Sequence, residues 1–385
     1  MKLHPPNVRI KKLLLQLIWL APGILFYALF RLSFLWPSFT ESFYSRGIFR
    51  FINQGLSTIT GWLPFSLGEI LLYAFVLFVA IHIIVMTAHA IIAKKAWWYV
   101  LLRRVVALLG VASVIYALFI GLWGFNYARQ PLGDSLGLDT SPATVQELYA
   151  TCEALIRQAN TLRSFVPQDD KGVFASAITE NDIMKSAPEY YNRAAAATGL
   201  QWLSGSFGRA KPVLYSTGLS YSHITGLYFP FTGEPNVNTD VPALFFASAC
   251  NHEAAHQRGF AREDEANFLS YYVSSYSGEP SVSYSGTMLA LVHATNQLYD
   301  ADSDLYFELR KTYSDGLSRD LADNSEYWQR YESPVSETAQ EVNNSFLKAN
   351  MQQDGVKSYG RMVDLLIGLW RAGELSIDSP AITTG

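Results

Sequence analysis

The chain has 385 residues, half of them hydrophobic and 14% aromatic, with only 16% charged. An ordinary soluble domain is roughly 25% charged, so a wholly water-exposed protein is excluded. The formal net charge of −4 hides an uneven split: residues 1–124 hold eleven Lys or Arg against two acids, Glu41 and Glu69, a net of +9 that leaves −13 for the rest.

Three apolar stretches come first in chain order: 13–30 and 105–124 are uncharged, and 70–93 is interrupted only by His82 and His89. Each is near the roughly 20 residues that cross a hydrocarbon core about 30 Å thick. Lys2, Arg9, Lys11 and Lys12 precede the first stretch as they would a signal peptide. No small-residue cleavage site follows, however, and two further spans do, so it reads as a retained helix kinked at Pro22. The basic residues of the N-terminal tail and of the 94–104 loop (Lys94, Lys95, Arg103, Arg104) outweigh the dispersed Arg31, Arg46 and Arg50 of the 31–67 segment. Positive-inside counting then predicts a cytoplasmic N-terminus and an extracytoplasmic chain after residue 124, with Trp97, Trp98 and Trp123 at the interfaces. Phe43, Ile48, Phe49 and Ile52 interleave with Arg46 and Arg50, the pattern of an interfacial amphipathic helix. Ser66 with Glu69 predicts a capping box opening span two.

From 125 the chain reads mostly helical, giving a fold class of three N-terminal transmembrane helices followed by a mainly α domain with a small β element. The domain runs from 125 to 377, and 378–385 is a loose tail. Ser141-Pro142 predicts a helix start, and Val145, Leu148, Tyr149, Cys152, Leu155, Ile156 and Leu162 continue the helical period. Residues 190–247, rich in Gly, Pro, Ser, Thr and aromatics, predict short strands near Pro212–Tyr215 and Ile224–Phe231. Helix returns from 244, over 283–314 and from Ser358 to Trp370. Cys152 and Cys250 are too few for a disulfide scaffold and leave one bridge open. The acidic part lacks basic stripes, which excludes a nucleic-acid partner.

Within CNHEAAHQRGFAREDEANF (250–268), His252-Glu253-Ala254-Ala255-His256 matches H-E-x-x-H. Residues four apart share one face of a helix, so His252 and His256 can hold one tetrahedral zinc ion, and Glu253 can serve as general base toward a water there. Gly259 ends the helix. The third histidine of the longer H-E-x-x-H-x-x-G-x-x-H pattern would fall on Arg262, which cannot ligate. The third ligand is then sought among the following acids. Glu263 is preferred from its register with Asn267, which can steady a ligand histidine. Glu265 stands as the alternate, about 200° further round the helix.

HEAAHQRGFAREDEANF, GLYFPFTGEPNVN (226–238), WGFNYARQPL (123–132) and SYGRMVDLL (358–366) together resemble a bacterial membrane-protein family of unknown function. The resemblance covers nearly the whole chain. It implies three spans, an extracytoplasmic zincin-like domain and a zinc site, and its E-x-x-A-N register is similar to that of glutamate zincins, which favours Glu263.

The expected function is a plasma-membrane zinc metallopeptidase acting on a peptide or protein outside the cytoplasm. A non-catalytic envelope sensor or scaffold and a zinc amidase of cell-wall peptides are the alternatives. Ile224–Phe231 is the candidate edge strand for substrate. Candidate oxyanion or substrate donors are His223, Tyr228, Tyr271, Tyr284 and His293. Glu234 and Asp240, in a turn-rich stretch, could shape the cleft, though acids in such a stretch are more often in solvent.

Overall fold

The computed structural model describes residues 6–92, 97–350 and 361–375. Lys2, Lys94, Lys95, the start of the C-terminal stretch at Ser358 and the tail 378–385 lie outside the described residues.

Among the described residues, three helices are long and apolar enough to cross a membrane, Ile10–Ser33, Leu67–His89 and Trp97–Leu122. Most of their large apolar side chains face outward, which suits a lipid solvent. Pro22 interrupts the first, since it has no N–H to donate, and a 3-10 turn at Ile18–Leu20 precedes it. Ser113 of span three repairs the break by accepting from Gly23 N at 2.9 Å and donating to Leu20 O at 3.1 Å. Span three starts at Trp97 rather than 105, so Arg103 and Arg104 sit on the helix and not in a loop. Arg104 reaches back to within 3.1 Å of His89 Nδ1 on span two, as a long basic side chain near a helix end can.

The amphipathic segment expected after span one is a π-helix, Thr40–Phe49, that runs into α1 (Arg50–Gly61). Ser66 does cap span two, accepting from Glu69 N at 2.9 Å. Glu69 does not close the box; its carboxylate takes the amides of Leu214 and Tyr215 at 2.8 and 3.3 Å.

The remainder is helical: α2 (Val145–Arg163), α3 (Glu180–Thr198), α4 (Ala243–Gln257), α5 (Glu263–Ser275), α6 (Pro280–Ala301), α7 (Ser303–Arg310), α8 (Asp315–Gln329), α9 (Pro334–Ala349) and α10 (Arg361–Arg371). Helix α2 begins at Val145, three residues past the predicted Pro142, because Thr144 and Glu147 form a reciprocal capping box. α4, α5, α6 and α2 pack around one core of Cys152, Leu155, Cys250, Ala254, Ala255, Phe268, Leu269, Tyr284, Met288 and Leu291. Both cysteines are free thiols buried in that core, so the open bridge is not formed.

The β element is a three-stranded sheet, β1 (Lys211–Pro212), β2 (Gly226–Phe229) and β3 (Glu234–Val237), in the order β1-β3-β2. β1 pairs parallel to β3 and β2 antiparallel to it, with Gly226 opposite Val237 and Phe229 opposite Glu234. Of the predicted strand at Pro212–Tyr215 only Pro212 lies in β1, and Glu69 draws off the amides of Leu214 and Tyr215. The unpredicted β3 is the central, fully buried strand, whereas β2 is a half-buried edge.

A second cluster, Phe30, Phe49, Ile120, Trp123, Tyr127 and Ala261, joins the ends of spans one and three to the turn after α4.

Candidate metal centre

α4 carries His252, Glu253 and His256, and small Ala254 and Ala255 on its other face let it lie buried in the core. Gly259 sits at φ 84°, in the left-handed region where a side chain is strained. Its turn sends Phe260 N back to Ala255 O at 3.1 Å and brings Phe260 O to 2.7 Å from His256 Nδ1. The same reversal starts α5 at Glu263, whose carboxylate lies 3.2 Å from His252 Nε2 and 3.6 Å from His256 Nε2.

One donor atom from each of His252, His256 and Glu263 lies within 4.8 Å of the others. Ligands on a tetrahedral ion with bonds of about 2.0–2.1 Å sit about 3–3.5 Å apart, so little adjustment is needed. His252 Nδ1 lies 2.8 Å from Asn267 Oδ1. With Asn267 and Phe260 O accepting from the two Nδ1–H groups, both Nε2 lone pairs point into the gap, the tautomer a metal requires.

Glu265 is elsewhere. Its Oε1 accepts from Leu132 N at 2.8 Å and Arg262 Nη1 at 2.5 Å, tying α5 to the chain just beyond span three. The roughly 200° between residues two apart on a helix keeps it from the site that Glu263 reaches.

Glu253 is buried and its Oε2 has no hydrogen-bond partner among the described residues. Burial, opposed by His252 and reinforced by Glu263, pushes its pKa up to about 8. Gly226, at the start of β2, lies against it: a Cβ there would fall 2.7 Å from Glu253 Oε1 and 2.9 Å from Asn236 O. Burial opposes charge on His252, but the hydrogen bond and charge of Glu263 override it and raise its pKa. Burial prevails at His256, lowering it to about 4.

The five donor candidates separate. Tyr228 donates to Asn53 Oδ1 at 2.8 Å, Tyr271 to Gln158 Oε1 at 3.1 Å and Tyr284 to Asp320 Oδ2 at 2.7 Å, so fold contacts occupy all three hydroxyls. His223 stands at φ 54° before β2, with Nε2 buried and without a hydrogen-bond partner among the described residues, and its ring 5.2 Å from that of Trp328. His293, on α6, is lowered to about 4 by burial and then by the charge of His252.

Of the two acids expected in solvent, Glu234 is buried and Asp240 is half-buried. Glu234 accepts from Leu67 N at 3.2 Å, Gly68 N at 2.8 Å and Thr232 Oγ1 at 2.8 Å, capping the start of span two. Asp240 accepts from the hydroxyls of Tyr327 and Tyr331 at 3.2 and 2.9 Å.

The residues that sequence reasoning missed hold the end of α4. Trp123 Nε1 donates to His256 O at 3.2 Å, Asn53 Nδ2 to Gln257 O, and Arg129 Nη1 to Gly259 O at 2.8 Å. Arg129 is itself fixed by Glu41, its Nε and Nη2 donating at 2.7 and 2.8 Å. A signal existed: Glu41 and Glu69 are the two acids of the first 124 residues, and both are buried against the second part of the chain.

No curated protein and no solved structure matches the chain. Residues 44–367 match the model of a family described as Protein of unknown function (DUF3810), and the chain belongs to that family.

Proposed function

We propose that the protein is a membrane-anchored zinc metallopeptidase of zincin type, with its catalytic domain outside the cytoplasm. The observation that carries this reading is the convergence of His252, His256 and Glu263 within 4.8 Å beside a buried, unpartnered Glu253 oxygen. The donor set fits the metal, with two neutral imidazoles and one carboxylate leaving a fourth position open, as catalytic zinc sites do.

Zinc held there supplies Lewis acidity, which polarises a carbonyl and makes water a stronger acid. Glu253 accepts the proton of the attacking water at Oε2 and can return it to the leaving amine; a carboxylate of raised basicity suits both tasks near neutral pH. Asn267 and Phe260 O hold the two imidazoles in one tautomer, and the half-buried edge of β2 beside Glu253 can take an extended peptide by strand addition. His293, whose charge is coupled to that of His252, is the candidate donor to an oxyanion. The Lys/Arg distribution supports the orientation.

The purified full chain should hold about one zinc per molecule by metal analysis. Glu253→Gln should keep that zinc and lose hydrolysis of a mixed-sequence peptide pool. A folded protein without zinc, or an unchanged product profile in Glu253→Gln, would refute the reading; the second outcome favours a scaffold.

A further inference from the structure

α1 is amphipathic the wrong way round for a helix on a soluble protein. Phe51, Ile59 and Trp62, at i, i+8 and i+11 on one face, are 81%, 73% and 86% exposed. Asn53, Ser57 and Thr60 on the opposite face are buried. That polar face is fully used: besides Asn53 on Gln257 O, Ser57 Oγ accepts from Gly208 N at 3.2 Å, and Thr60 Oγ1 donates to Thr232 O at 3.1 Å. Exposed Leu214 and Tyr215 are held by Glu69 in the first turn of span two. α1 lies between spans one and two, so the surface that suits its bare aromatic face is the headgroup layer of the membrane those spans would cross.

The metal cluster is close to that layer. Trp123, one residue beyond span three, hydrogen-bonds the carbonyl of His256. The β2–β3 hairpin bridges the remaining gap. At one end Gly226 lies against Glu253; at the other, Phe229 packs on Gly68 of span two's first turn, where a Cβ would fall 2.7 Å from its ring. Glu234, paired with Phe229, caps that turn. Three residue steps separate Gly226 from Phe229, about 10 Å at the rise of a strand.

We propose that the substrate is an extended peptide tethered to the same bilayer, bound along the free edge of β2 and cut within a few residues of the membrane surface. This rests on the peptidase reading and adds its substrate class. A peptide on β2 that runs from Glu253 toward Phe229 reaches the start of span two within about four residues. Its continuation must then enter the headgroup layer or turn sharply away. A segment emerging from the bilayer meets that geometry without bending.

The test uses the full chain in vesicles of phosphatidylethanolamine and phosphatidylglycerol. The probe is a single model transmembrane helix that carries an unstructured mixed-sequence peptide, with or without an inserted Gly/Ser spacer of about five residues, which moves any sequence outward by about 12 Å on average. Tethering raises the rate by effective concentration alone, so the readout is the cleavage position, mapped by mass spectrometry. The expected result is a cut at a fixed distance from the bilayer, on different residues in the two probes and absent with Glu253→Gln. A cut that follows its sequence outward with the spacer, or equal cleavage of the free and tethered peptides at saturating concentration, overturns the inference and leaves the peptidase. Absence of any Glu253-dependent cleavage, free or tethered, overturns both.

Discussion

At the scale of single residues, two glutamates two positions apart have unlike fates. Glu263 faces both Nε2 atoms, while Glu265 is bound by Leu132 N and Arg262. Glu263→Ala should therefore abolish stoichiometric zinc binding. Glu265→Ala should keep the metal yet lower stability by about 1–3 kcal/mol, the cost of orphaning a buried donor. Zinc titration and denaturant melts on the two variants separate these outcomes, and zinc loss confined to Glu265→Ala would reverse the assignment. Asn267→Leu belongs with them, because removing a partner that orients a ligand histidine commonly weakens metal affinity by about 10–100-fold. The H-E-x-x-H spacing was readable because a helix places i and i+4 together whatever surrounds it. The tyrosine hydroxyls were not, since each found its partner on a distant element: Asn53, Gln158 or Asp320.

At the scale of elements, the decisive contact is the end of α4. Its last carbonyls have no intrahelical donors; Trp123 and Asn53 reach those of His256 and Gln257, and Arg129 that of Gly259 in the turn beyond. Arg129 in turn depends on Glu41. Burial alone would raise the Glu41 carboxyl, but the charge of Arg129 and hydrogen bonds from Arg129 and Arg46 override it and hold it below its ordinary value. A carboxylate depressed in the folded state stabilises fully above its unfolded pKa, here 4.5, and loses that contribution as pH falls through the folded value. Glu41→Gln should cost about 3–5 kcal/mol at pH 7 by stranding a buried Arg129, and its gap to wild type should narrow only as pH drops below 4.5. Melts of the two proteins across pH 3–7 would show this; a gap independent of pH would remove Glu41 from the clamp. The spans and the long helices were legible from hydropathy and period, whereas β3 was not. EPNV shows no alternation and contains Pro235, and it becomes a strand because it is buried between two neighbours that pair with it.

At the scale of the whole molecule, the apolar and acidic parts that composition separates so clearly are not independent. Residues 37–61 and the ends of spans one and three form part of the packing around the turn after α4. A fragment beginning at residue 125 would lack Asn53, Trp123 and Glu41. It should bind zinc more weakly than the full chain in detergent, or fail to fold, and isothermal titration beside a folding assay on both would decide it. Equal affinity would mean that the clamp is not needed. The sequence by itself determined the three apolar helices, the mainly helical class and the placement of His252 and His256 on one helix face, because hydropathy, period and i,i+4 spacing are local properties. The tertiary structure decided between the two glutamates, narrowed the candidate edge strand to Gly226–Phe229 and set α4 against the ends of the spans. Those outcomes depend on the turn at Gly259 and on buried donors and acceptors up to about two hundred residues apart, such as Asn53 and Gln257, pairings that no local pattern encodes.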